Sequence, residues 1–246
     1  AVRMVGDPLA LVAAESELAA AAALDLIEVE YGGLPVLASP EASLAPGATP
    51  LHEAREDNVC ARMSQVQGDP NQGLASGRAV AERSLQTPVQ EHAFLEPEVA
   101  LAVPEADGSV TVYCATQAPF PVRKAVAVAL GLPEERVRVV TTPAGGAFGG
   151  KVDVHAQAHA ALLALKTGRP VRLAWSREES MMAHAKRHPL HLHGRLAAGQ
   201  DGLLTALEAT VVGDAGAYAG PSGLTLLLTL ASMTGPAVVG VMIAGG

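Results

Sequence analysis

The chain has 246 residues, 49% of them apolar and only 3% aromatic, and a formal net charge of −8. That is enough for a real core in one large domain or two smaller ones, while the acidic balance argues against a nucleic-acid binder, which would show a basic patch. Two distant cysteines, Cys60 and Cys114, exclude a disulfide framework or a Cys-only zinc or iron–sulfur site, and no run reaches the roughly 18 apolar residues of a membrane span, the longest being Leu224–Met233.

The opening AVRMVGDPLALVAAES has neither an initiator Met nor a signal-peptide layout. The chain ends without a polar tail, so it reads as a fragment at both ends. Leu9 to Ala14 is a compact apolar strand. Ser16 is placed to cap a helix over ELAAAAALDLI, rich in the best helix former. IEVEY alternates, with Ile27, Val29 and Tyr31 on one face, and predicts a half-buried strand. Ala38 to Ala79 is rich in Pro, Gly, Ser, Asp and Asn and reads as a connecting segment over a surface.

Order returns at QTPVQEHAFLEPEVALAV. Val110 to Ala115 is a strand. PVRKAVAVALG is a helix, with Pro121 in its first turn, Gly131 at its stop, and an apolar stripe of Val122, Ala125, Val126 and Ala129. Arg136 to Val140 is the next strand and leads into the glycine loop PAGGAFGGK. Asp153 is placed to cap a helix from Val154 to Thr167, ended by Gly168. PVRLAW is a strand, SREESMMAH a short helix, HPLHLHGRL an alternating strand with Leu190 and Leu192 opposite His191 and His193, and LTALEATVVGDAGAY another strand. The class is mixed, α+β.

Several constellations bear chemistry. Counted from Gly145, the loop has the Gly-x4-Gly-Lys spacing of a P-loop, but Val152 stands where a Ser or Thr would hold magnesium. Phe148 would also crowd a phosphate cradle. The glycines allow either a structural turn or close backbone approach to an anionic ligand. His155 and His159 share a zinc-binding i, i+4 spacing without an evident third ligand; a polar helix face is the plainer reading. Glu91, His92 and Glu96 suit acid–base work or a buried network. Lys186 to Pro189 is a small basic cluster, a solvated turn or a phosphate contact. Thr116 and Gln117 follow a strand in a loop, where polar residues often line sites. Gln117 offers an amide hydrogen bond to an oxygen but no acid or base.

In order, VRMVGDPLALVAAES, LDLIEVEYGGLPV, QEHAFLEPEVALAV, VYCATQAPFPVRKAVAVALGLPEERVRVV, GGAFGGKVD, AALLALKTGRPVRLAWSREESM, KRHP and GDAGAYA resemble the large subunit of the xanthine dehydrogenase and aldehyde oxidase family, the molybdenum hydroxylases. The resemblance runs from Val2 to Pro236. It implies the end of an α/β hammerhead domain over 1–50, a connecting segment over 51–85, and the first portion of a molybdenum-cofactor-binding domain over 86–246. It also implies a molybdopterin cofactor, an aldehyde or N-heterocycle as substrate, and water as the oxygen source. Iron–sulfur clusters and FAD would lie on partner subunits of a cytoplasmic hetero-oligomer, with no nucleic acid or membrane involved.

The resemblance carries over residue by residue. Gln117 matches the glutamine that hydrogen-bonds an oxygen ligand of molybdenum, and Gly146, Ala147, Phe148 and Gly149 match the loop whose amides face the metal centre. Ala147 replaces a glycine, which a negative φ would tolerate. Phe148 and Val152 would line the substrate pocket, and an apolar Val152 resembles aldehyde-oxidising members more than xanthine-specific ones, which carry a glutamate there. Glu91, His92 and Glu96 match a motif assigned to scaffolding. No residue here ligates the metal directly or acts as catalyst: the Arg-Gly-Phe-Gly segment and the general-base glutamate are expected beyond the C-terminus, so the chain alone would be inactive. Two other readings are a non-catalytic half-subunit that docks a separate C-terminal half, and a P-loop nucleotide binder.

Overall fold

The computed structural model describes residues 2–231 and 237–244. The end of the family-like stretch, 232–236, lies outside the described residues, as does the close of the Leu224–Met233 run. In chain order the elements are α1 (Glu17–Leu24), α2 (Pro40–Leu44), β1 (Val59–Val66), α3 (Pro70–Ser76), β2 (Ala79–Thr87), β3 (Val99–Pro104), β4 (Val110–Cys114) and α4 (Pro119–Leu130). There follow β5 (Val137–Thr141), α5 (Ala156–Thr167), β6 (Val171–Ala174), α6 (Arg177–Ala183), β7 (Leu190–Ala198), β8 (Leu204–Asp214), α7 (Ser222–Ala231) and β9 (Ala237–Ala244). They form two compact units, one from 1–33 and 91–186, the other from 34–90 and 187–246. Each unit takes two separate stretches of chain.

The first unit holds a four-stranded sheet in the order β5-β4-β3-β6. β3 and β4 form an antiparallel hairpin, and β4 runs parallel to β5, which requires the crossover that α4 supplies. Helices α4 and α5 bury alanines and valines against the sheet. The resulting core of Ala100, Ala102, Val110, Val112, Val122, Val126, Ala160, Ala161 and Ala164 is tight because its side chains are small. The stripe of α4 is Val122, Val126 and Ala127, while Ala129 faces solvent. The i, i+4 pair sets the inner face, and Ala127 follows Arg123 on its flank. Gly131 closes α4 in the left-handed region at φ 65°, as its C-terminal position predicts.

The second unit holds a five-stranded sheet in the order β1-β9-β8-β7-β2. Leu190 and Leu192 of β7 pack toward Val211 and Leu226, while His191 and His193 pair with Glu41 at 3.0 Å and Glu82 at 3.3 Å. That is the two-faced strand the alternation predicts. No helix among the described residues is long and apolar enough to cross a membrane.

Three expectations give way. Residues 9–14 and 27–31 are not strands; neither stretch has a ladder partner among the described residues, and Ile27, Val29 and Tyr31 are exposed. Alternation marks a face that can be buried but does not supply the neighbour that buries it. The stretch read as connecting, 51–85, contains β1, α3 and most of β2. β2 is exposed along nearly its whole length, so burial imposes no strict alternation on its sequence. Asp153 does not cap α5, which starts at Ala156 behind His155; its carboxylate accepts from Val154 N–H instead, at 2.8 Å. The cap at Ser16 forms as expected, and α6 has a full capping box between Ser176 and Glu179 that the sequence reading did not single out.

Candidate cofactor site

Strand β5 delivers the chain into the loop from Pro143 to Lys151. Gly146 and Gly149 sit at φ 98° and 91°, and Phe148 between them at φ 51°. A bulky residue in the left-handed region is an outlier and costs on the order of 1–3 kcal/mol, so its surroundings must over-determine it. They do. Gly149 N–H donates to Gln117 Oε1 at 3.1 Å, and Gly150 N–H donates to Ala147 O at 2.8 Å. A Cβ on Gly145 would lie 2.7 Å from the Glu96 Cβ, and one on Gly150 would lie 2.8 Å from Phe94 Cε1. Ala147 is absent from the positive-φ residues, as its replacement of a glycine requires.

This pinning leaves three consecutive donors available. Among the described residues, the N–H groups of Gly146, Ala147 and Phe148 make no hydrogen bond. Successive free amides at such a bend form an anion-binding concavity. Gln117 flanks them. Its backbone N–H donates to Lys151 O at 3.0 Å, and its carbonyl oxygen must face Gly149, because that partner is a donor. The side-chain amide nitrogen is left as a further donor. The Phe148 ring stands 73% exposed beside this edge, and Val152 lies half-buried in the short 3-10 turn from Gly150.

Lys151 settles the nucleotide question. Its side chain is 3% exposed and turned into the protein. Its Nζ lies 2.6 Å from Glu96 Oε2 and 4.7 Å from the Phe94 ring centroid. A P-loop lysine must reach phosphates on the loop's outer side; this one anchors the loop from beneath. Glu96 also accepts from Gly145 N–H at 2.8 Å, and its own N–H donates to Gly145 O at 3.1 Å. Burial acts to raise the Glu96 pKa, but the bonds from Lys151 and Gly145 and the lysine's charge outweigh it and hold the carboxyl below its usual range.

The other sequence candidates separate. His155 precedes α5 with non-helical backbone and reaches Gly150 O at 3.2 Å, while His159 lies within the helix; among the described residues the two belong to no group of three metal-ligating side chains. The basic cluster is internally paired: Lys186 with Glu91 at 2.9 Å, Arg187 Nη1 with Gln90 at 3.3 Å, and His188 with Ser222 at 2.7 Å. Sequence reasoning missed Glu98 and His184, both almost fully buried. His184 Nε2 lies 2.8 Å from Glu91 Oε1, and its Nδ1 lies 3.4 Å from Glu98. Burial, then the Lys186 charge, pushes the His184 pKa down despite both glutamates. Neither residue stands in a spacing that marks it; only the fold brings them to His92, whose ring centroid is 5.5 Å from that of His184.

With this geometry in place, comparison with known proteins is decisive. The profile of the molybdopterin cofactor-binding domain matches residues 51–239. The chain belongs to that family. It is 44% identical over 225 residues to a probable xanthine dehydrogenase subunit of Bacillus subtilis, covering 91% of this chain and 30% of the relative. It is 36% identical to the nicotinate dehydrogenase large molybdopterin subunit of Eubacterium barkeri, covering 91% of this chain and 53% of the relative. Among solved structures, the aldehyde oxidoreductase of Desulfovibrio gigas superposes with a TM-score of 0.88 at 28% identity, over 94% of this chain and 26% of that one. The chain therefore spans about a third to a half of these curated relatives. The residues present fit the family's cofactor: an oxygen-rich, anionic group suits three adjacent free amides flanked by the Gln117 amide.

Proposed function

We propose that this chain is the part of a molybdenum hydroxylase large subunit that presents one face of the molybdopterin site. The carrying observation is the row of unengaged N–H groups at Gly146, Ala147 and Phe148 beside the Gln117 amide. In this reading Gln117 donates to an oxygen of the bound group, the amides of Gly146, Ala147 and Phe148 hold its position, and Gly149 orients Gln117 through its own N–H. The Phe148 ring and Val152 line the substrate side. When bound, the cofactor supplies a two-electron oxidation that places an oxygen from water on an aldehyde or N-heterocycle carbon. Val152 offers no hydrogen bond, so a substrate that needs a carboxylate grip at this position, such as a purine, is disfavoured, and an aldehyde fits better. Residues 1–50 close a hammerhead domain, and the cofactor domain opens at about residue 51, where the family match begins, and not at 86. Electrons leave to iron–sulfur and FAD partner subunits in a cytoplasmic hetero-oligomer. The general-base glutamate belongs to the portion of the relatives that this chain does not span.

The test is hydroxylation of an aldehyde series with an artificial electron acceptor. The chain alone should give no turnover; expressed with a chain carrying the remaining portion and with the electron-transfer subunits, it should give turnover. Activity from the chain alone would overturn the proposal. A non-catalytic half-subunit that docks a separate C-terminal half is the competing arrangement. The chain covers 53% of the Eubacterium molybdopterin subunit, against 30% of the Bacillus one, which supports a shorter subunit of this kind. There, supplying the second half should give a stable complex but no turnover.

A further inference from the structure

The polar groups beneath the glycine loop are out of balance. Glu91, His92 and His184 each offer a ligand atom, and these atoms all lie within 4.8 Å of one another. Three atoms around this spot are buried and without a hydrogen-bond partner: His92 Nδ1, Glu98 Oε2 and His184 Nε2. Glu91 Oε2 is paired with the Lys186 ammonium at 2.9 Å, and Glu98 Oε1 faces His184 Nδ1 at 3.4 Å. Buried polar atoms are paired in the great majority of cases, and orphans call for an unseen water or ion. Here they are gathered in one place.

His184 makes the case specific. Its ring is about 1% exposed, and its Nδ1 contacts the Ser180 carbonyl oxygen. A carbonyl can only accept, so Nδ1 carries the proton. Nε2 lies 2.8 Å from Glu91 Oε1 but makes no hydrogen bond in line with it. A buried ring nitrogen within 4.8 Å of the Glu91 and His92 ligand atoms therefore stands without a hydrogen-bond partner. A histidine fixed at one nitrogen by a backbone carbonyl or a carboxylate, with the other nitrogen free, is the usual arrangement of a metal-ligating imidazole. Glu98, 3.4 Å from Nδ1, adds the second outer partner. Lys186 sits on Glu91 Oε2 at 2.9 Å, while Glu91 Oε1 accepts from Ala93 N–H at 3.2 Å and keeps a second lone pair for a cation.

We propose that Glu91, His92 and His184 bind a divalent transition metal ion of the zinc type and so tie the Glu91–Phe94 segment to the end of α6. Two imidazoles and a carboxylate are a borderline-soft donor set that suits zinc. Zinc–ligand bonds of roughly 2.0–2.2 Å require the Glu91–His184 contact to open by about half an ångström. A zinc held there would brace the loop through His92, whose Cγ lies 3.1 Å from a Cβ placed on Gly150.

The experiment strips the purified chain of metal, titrates it with zinc chloride alone, and measures zinc retained after gel filtration. One equivalent is expected, with a melting temperature raised by zinc. His184→Ala removes a buried ring and tests folding as much as binding, so Glu91→Gln and His92→Gln carry the comparison. Both should lose the equivalent and the thermal shift, while the double variant His191→Gln/His193→Gln, which removes the exposed pairs on β7, should keep both. Zinc-edge absorption of the unmutated chain should show two imidazole ligands, and that reading needs no variant to fold. No retained zinc, retention undiminished in Glu91→Gln and His92→Gln, loss in the β7 variant, or a spectrum without two imidazoles would each overturn the proposal. The readout is zinc content, so it is independent of molybdenum loading.

Discussion

Glu96→Gln should destabilise the first unit by about 2 kcal/mol. The substitution keeps shape and removes charge, leaving the Lys151 ammonium, 3% exposed, without its counter-ion. Removing one partner of a buried pair costs about 3–5 kcal/mol. The Glu96 side chain is 34% exposed, however, so water screens the pair and the lower value follows. For a chain of this size that corresponds to a melting temperature lower by roughly 4–8 °C. Lys151→Met should cost less than Glu96→Gln, because the partly exposed carboxylate keeps Gly145 N–H and finds water, whereas the reverse change strands a buried charge. In the Lys151→Met background, Glu96→Gln should cost under about 1 kcal/mol, leaving a coupling on the order of 1–2 kcal/mol. The assay is urea and thermal unfolding of all four variants at pH 7. The Glu96 pKa is lowered on folding, so its stabilisation is present above the ordinary carboxyl value of about 4.5 and is lost as pH falls through the folded value. Equal costs for Glu96→Gln in both backgrounds would refute the account of Lys151 as an inward anchor.

Gly150→Ala places a Cβ 2.8 Å from Phe94 and should cost about 1–3 kcal/mol by overpacking, read from the same unfolding curves. Gly131→Ala meets no neighbouring atom but keeps φ at 65°, so its cost should be near 1 kcal/mol and purely conformational. Val126→Ala, at a fully buried position, should cost about 2 kcal/mol from lost burial and a small cavity. Burial, and then the charge of His155, depresses the His159 pKa. The unfolded chain therefore takes up that proton first, and stability should decline as pH drops below about 6.5 toward the folded value. His159→Gln should shrink the difference in melting temperature between pH 7 and pH 5.5; an unchanged difference would refute the assignment.

What was legible in the sequence was whatever is local. Gly131 and Gly168 announced helix ends, Ser16 announced a start, and Leu190 and Leu192 against His191 and His193 announced a two-faced strand. The loop's glycines were legible as a cluster, and the ordered motifs pointed to the family. What escaped depended on partners distant in the chain. Ile27 to Tyr31 alternates yet has no strand beside it among the described residues. β2, exposed on both faces, left no periodic trace. Lys151 reads as an outward P-loop lysine until Glu96, 55 residues earlier, turns it inward. His184 meets Glu91 and Glu98 only because β3, α6 and the Glu91–Phe94 segment converge.

The central claim is that Gln117 and the amides of Gly146, Ala147 and Phe148 face the molybdenum cofactor. It is tested most directly by Gln117→Ala in the assembled enzyme, measuring molybdenum content, the molybdenum electron-paramagnetic-resonance signal and kcat together. Retained molybdenum with an altered signal and a kcat lower by on the order of 10²-fold is the predicted result. An unchanged signal and kcat at full occupancy would contradict it.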